Sequence, residues 1–87
     1  MSVESVSTWF LVNVVHKDTG KVIRTDIDAV MANGVSDAVK AAMHRNPLKP
    51  WESFGVKKAS GLQKRRCCKV NEDRTRDIAE FIELMSD

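Results

Sequence analysis

Residues 8–29 decide the fold: Thr8-Trp9-Phe10-Leu11-Val12-Asn13-Val14-Val15-His16, then Lys17-Asp18-Thr19-Gly20-Lys21, then Val22-Ile23-Arg24-Thr25-Asp26-Ile27-Asp28-Ala29. The first run is rich in aromatic and β-branched side chains, which suit a pleated strand better than a helix. Phe10, Val12 and Val14 alternate with Trp9, Leu11 and Val15, so both faces are apolar and the strand reads as a central one or as one whose outer face is covered by another element. Asn13 is the only polar residue inside it. The linking segment has Asp18 to begin a turn and Gly20 to supply a positive φ, which together predict a hairpin. In the second run Ile23, Thr25, Ile27 and Ala29 fall on one face and Arg24, Asp26 and Asp28 on the other, which predicts a strand with one wet face.

Beyond the hairpin, Asn33-Gly34 breaks the strand and Ser36 is placed to cap a helix whose apolar positions are Val35, Ala38, Val39, Ala42 and Met43. Asn46-Pro47 ends that helix, because proline lacks an amide donor and disfavours a helical residue before it, and Pro50 keeps the connection extended. Trp51 to Ala59 reads as a third strand, with Phe54 and Val56 on one side and Gly55 and Lys57 on the other. Ser60-Gly61 marks a turn. Leu62 to Val70 is open between a basic fourth edge strand and a mobile loop. Asn71 then caps a final helix with Glu72 and Asp73 in its first turn and an apolar stripe of Ile78, Phe81, Ile82 and Met85. The expected fold is therefore α+β: a small antiparallel sheet of three to four strands in the order ββαβ, a basic segment and a C-terminal helix, with the helices packed on one face.

Length and composition set limits on this reading. The chain of 87 residues with 43% hydrophobic content supports one core, so residues 1–87 are expected to form a single domain. A domain of this size builds a flat or grooved binding face more readily than a deep catalytic pocket. Met1 to Ser7 has no basic n-region, and the apolar run from Trp9 to Val15 is far shorter than the ~20 residues of a membrane helix. A soluble cytoplasmic protein is expected, one that does not engage a membrane. The adjacent pair Cys67-Cys68 is a poor basis for a disulfide scaffold and reads as two free thiols.

Charge is distributed unevenly. Up to Val56, six basic residues balance six acidic ones. Lys57, Lys58, Lys64, Arg65, Arg66 and Lys69 then contribute +6 with no acid among them. Glu72 to Asp87 follows with six acids against Arg74 and Arg76. The basic segment is the candidate contact surface, since lysine and arginine attract phosphate and displace counterions from nucleic acid. Trp9, Leu11 and Trp51 are assigned to the core.

Catalytic and metal chemistry find little support. Cys67, Cys68, His16 and His44 lack the spacing of a zinc site. Asp26 and Asp28 share a strand face but have no third acid or base, and read as the wet face of the hairpin beside Arg24. No nucleophilic triad and no phosphate-cradling glycine loop is present. The segment Phe54-Gly55-Val56-Lys57-Lys58-Ala59 superficially resembles the lysine-rich helix start of double-stranded RNA-binding domains, but Ser60-Gly61 breaks any such helix and sets that family aside.

The expected function is non-enzymatic and without cofactor or small-molecule substrate: docking on a nucleic acid or an acidic protein surface through residues 57–69. The alternative is a protein inhibitor or adaptor that docks through the acidic last helix, by Glu72, Asp73, Asp77, Glu80 and Glu83, or through an exposed sheet surface. In size and outline the chain resembles small phage-encoded proteins that bind and redirect host machinery. A homodimer through an uncovered apolar face is a further arrangement left open. Adjacent in sequence, the basic segment and acidic helix either fold together as a clasp or splay into two surfaces of opposite sign.

Overall fold

In the computed structural model, residues 7–85 are described. Most of the N-terminal stretch considered for targeting signals, residues 1–6, lies outside them. Three strands, β1 (Thr8–His16), β2 (Val22–Ala32) and β3 (Glu52–Lys58), form one antiparallel sheet in the order β2-β1-β3. Of the two arrangements left open for β1 by its two apolar faces, the structure has both: the strand is central in the sheet and each of its faces is covered. Helix α1 (Val35–Arg45) links β2 to β3 across the central strand, and a short 3₁₀ turn (Gly61–Gln63) leads into α2 (Lys64–Met85). The expected α+β class with an antiparallel sheet is what the structure has.

The hairpin closes as its sequence requires. Gly20 sits at φ 74°, and the His16 amide donates to the Lys21 carbonyl at 2.7 Å. In α1, Gly34 rather than Ser36 occupies the N-cap, without a side-chain cap bond. Asn46 ends the helix as expected, its amide donating to the Ala42 carbonyl at 2.9 Å. Gly55 has a packing reason: a Cβ there would stand 3.0 Å from Val15 Cγ1. Trp51 departs from its core assignment, being 49% exposed with Lys49 Nζ 5.3 Å from its ring centroid.

Three corrections concern the packing. First, the helices lie on opposite faces of the sheet. Phe10, Val12, Val30 and Ala32 pack against Ala38 and Ala42 of α1, whereas Leu11 and Ala29, with Trp9 and Ala59 at their edge, pack against Cys67 and Val70 of α2. A central strand that is apolar on both sides needs a cover on both sides. Second, residues 64–70 are neither strand nor loop but the first turns of α2, so Asn71 is mid-helix and not an N-cap. The turn before the helix is tied by the Ser60 amide, which donates to Gln63 Oε1 at 3.0 Å.

Third, β2 does not alternate throughout. Between the pairs Val12↔Asp28 and Val14↔Arg24 it advances four residues while β1 advances two. Asp26 stands at this bulge with φ 51°, a left-handed conformation that aspartate tolerates better than most residues. Asn13, the lone polar residue of β1, fixes it by accepting the Asp26 amide at 2.8 Å. The bulge separates two carboxylates that strict alternation would place side by side. Asp26 meets Arg66 of α2, whereas Asp28 meets Arg45 and Asn46 at the end of α1. Asp28, expected on a wet face, is completely buried.

Candidate functional site

α2 straps the sheet with polar anchors. Arg66 pairs with the Asp26 carboxylate at the bulge, and Asn71 Nδ2 donates to the Ala29 carbonyl at 2.6 Å. One turn further, Arg74 Nη2 donates to the Arg45 carbonyl at 2.6 Å, which joins α2 to the C-terminal end of α1. These bonds fix the orientation of the helix, and with it the side chains on its outer surface.

The Asp28 carboxylate is completely buried and held by several donors. It accepts from Asn46 Nδ2 at 2.9 Å, from Arg45 Nη2 at 3.1 Å and from the Ala29 amide at 2.8 Å. Arg45 Nε stands 3.1 Å from Oδ2 but off the hydrogen-bonding direction. A buried carboxylate with this many donors is committed to structure. Asp26 and Asp28 therefore serve separate partners, and no group of three potential metal ligands exists among the described residues.

The six basic residues gather around the N-terminal end of α2. Lys57 and Lys58 end β3, and Lys64, Arg65, Arg66 and Lys69 occupy the first two turns of the helix. All six are exposed. Lys57 and Arg66 line one shallow hollow, with Leu11, Asn13, Thr25, Asp26 and Gln63. Lys64 lines another, of about 290 Å³, whose other walls include Trp9, Met31, Ala59 and Gly61. Arg65 and Lys69, four apart, share the outer face of the helix. Lys58 pairs with Phe10 and so lies on the opposite face of the sheet from Lys57. Of the six, only Arg66 has a carboxylate partner among the described residues.

Trp9 and Met31 were missed as site residues. The alternation Trp9, Leu11 places the tryptophan on the α2 side, but only the register Trp9↔Met31 and the landing point of the helix bring both beside Lys64. Leu62 is 98% exposed one turn from the same end. A basic segment without aromatics in sequence thus acquires one in space.

The acidic residues Glu72, Asp73, Asp77, Glu80 and Glu83 follow on the same helix. A continuous helix of 22 residues carries the two charge zones one after the other, so the acidic zone cannot fold back over the basic one, and among the described residues no ion pair joins them. The clasp is excluded. The charge order also opposes the helix dipole: the first turn has no acid and the last no base, although the dipole favours the reverse at both ends. Positive side chains and the positive end of the helix act in the same direction.

Both cysteines are free. Cys67 is buried against Leu11 and Ala29. Burial first, then the neighbouring Cys68, push its thiol above the ordinary 9.0, while Arg66 pulls the other way. The folded state thus holds this proton more tightly than the unfolded chain, so the contribution to stability is complete below pH 9.0 and is lost as pH rises through the folded value. At pH 8, iodoacetamide is expected to add one label to the native protein, at the half-buried Cys68, and a second only after unfolding. Two labels added at similar rates would show that α2 does not seal this face.

No helix among the described residues is long and apolar enough to cross a membrane. Compared with protein-family models, with curated proteins and with solved structures, the chain matches none.

Proposed function

We propose that this protein binds single-stranded nucleic acid at the cationic end of α2. The observation that carries the reading is the set of exposed cations Lys57, Lys64, Arg65 and Lys69, without a carboxylate partner among the described residues and clustered where the helix dipole adds to their field. Lys58 reinforces that field from the other face of the sheet. Solvated cations spread over a surface need no explanation, but cations concentrated at a dipole end that repels them do. Trp9 and Met31 beside Lys64 supply the apolar, stackable surface that accompanies phosphate contacts in single-strand binders.

The test is fluorescence anisotropy with labelled 20-mers of DNA and RNA between ~25 and 300 mM salt. Wild type is expected to bind with log K falling by ~2–3 per decade of salt, as three to four phosphate contacts dictate. The variant with Lys64, Arg65 and Lys69 all changed to Ala is expected to lose about two of those units and most of the low-salt affinity. Absence of binding at the lowest salt sinks the proposal. Equal competition by poly-glutamate would move it to an acidic protein surface, since a polyanion without bases has nothing to stack. The adaptor alternative, in which the acidic residues of α2 do the docking, predicts no nucleic-acid binding at any salt.

A further inference from the structure

The inward stripe of α2 outruns the sheet. Asn71, Arg74, Ile78, Phe81 and Met85 succeed one another in steps of three, four, three and four, with Ile82 beside them. The first half is seated: Asn71 and Arg74 bond to backbone carbonyls of β2 and α1. The second half is not. Phe81 is 63%, Ile82 60% and Met85 72% exposed. At the base of this overhang lies a hollow of about 380 Å³ lined by Arg45, Pro47, Arg74, Asp77, Ile78 and Phe81.

We propose that the overhang is the interface of a two-fold dimer, in which the last two turns of α2 cross antiparallel with those of a second copy. The three-four spacing is that by which one helix seats along another. A ridge and an adjacent hollow on one chain are self-complementary under a two-fold axis, so that with the axis near Phe81 each Met85 lies toward the hollow of the other copy. The seam from Ile78 to Met85 carries no charge, because Glu80 and Glu83 project from the other side of the helix. The charge that does lie on the stripe fixes the direction. Arg74 has no carboxylate partner among the described residues and its Nε is buried without a hydrogen bond. Parallel helices would bring two such arginines, and two folded bodies, against each other, whereas antiparallel ones keep them at opposite ends.

The size fits a weak dimer. With Phe81, Ile82 and Met85 each open over roughly two thirds of their surface, two overhangs bury on the order of 700–800 Å², below the standard size of a stable interface. The inference stands apart from the nucleic-acid reading and is tested without nucleic acid.

Sedimentation equilibrium between ~5 and 500 μM is expected to show a reversible monomer–dimer equilibrium. Phe81→Glu and Ile82→Glu are expected to remain monomeric throughout, with at least a ten-fold weaker association. Leu84→Glu, off the seam though 83% exposed, is expected to dimerise like wild type. Because all three positions are exposed, the variants should keep the wild-type circular dichroism and melting temperature, which separates lost association from lost folding. A monomer at the highest concentration overturns the proposal. So does association that grows without a dimer endpoint, or Leu84→Glu failing as completely as Phe81→Glu, because either would make the contact unspecific apolar adhesion.

Discussion

Changing Arg45 to Ala is expected to lower stability by about 3–5 kcal/mol, because it strands the Asp28 carboxylate inside the protein. For a domain of this size that corresponds to a fall in Tm of ~15–30 °C. The asymmetry of the pair makes arginine the more informative partner to remove. The Asp28 side chain has no exposure and Arg45 retains 27%, so a stranded Arg45 can turn toward water and a stranded Asp28 cannot. Adding Asp28→Asn to Arg45→Ala should restore part of the loss, since a buried amide costs less than a buried carboxylate. That non-additivity, read in a double-mutant cycle by denaturant unfolding, distinguishes charge burial from the loss of arginine packing and of its bond to Thr75. A single-mutant loss below ~1 kcal/mol would place the pair among solvated surface ion pairs.

Ala42→Leu is the second large effect expected, at about 2–3 kcal/mol. Ala38 and Ala42 are completely buried and set how closely α1 approaches Phe10, Val12 and Val30. A leucine there must lift the helix or force its neighbours out of their rotamers. The effect is expected to exceed simple overpacking because Asn46 is bonded to the Ala42 carbonyl at 3.1 Å as well as to Asp28. Lifting α1 therefore loosens the donors around the buried carboxylate. Ala41→Leu, at a half-buried position beside the same core, should cost less than half as much. Equal denaturation midpoints for Ala42→Leu and wild type would show that α1 has room to spare.

Where the sequence was legible, side-chain chemistry and backbone demand coincided. Gly20 had to turn and Asn46-Pro47 had to stop a helix, whereas the two apolar faces of β1 did not by themselves reveal that the helices would divide between them. The antiparallel α+β architecture follows from those positions. The start of α2 was not legible because its buried stripe changes character. Cys67 and Val70 are apolar, but Asn71 and Arg74 are polar and are satisfied by carbonyls of distant elements. A periodicity argument based on apolar residues loses the helix there and recovers it at Ile78. Asp28 was misplaced because its burial depends on partners that lie far along the chain. Arg45 and Asn46 supply the donors that let a carboxylate sit inside, and the bulge that parts it from Asp26 depends on Asn13, thirteen residues from that aspartate.

The candidate site divides in the same way. Its cations could be read directly, since an uninterrupted run of like charge is a property of sequence. Their grouping around one helix end, the capture of Arg66 by Asp26 and the presence of Trp9 and Met31 depend on register and docking, which no local pattern encodes.

The reversed charge order of α2 has a consequence for how binding and folding communicate. Near its start the helix crowds cations where an acidic residue would ordinarily steady it, so the free protein carries an electrostatic debt in that turn. An anion seated on Lys64, Arg65 and Lys69, as the proposed function requires, would discharge it. Under the nucleic-acid reading proposed above, a bound phosphate would take the place of the missing acid, so that ligand and helix start would steady each other.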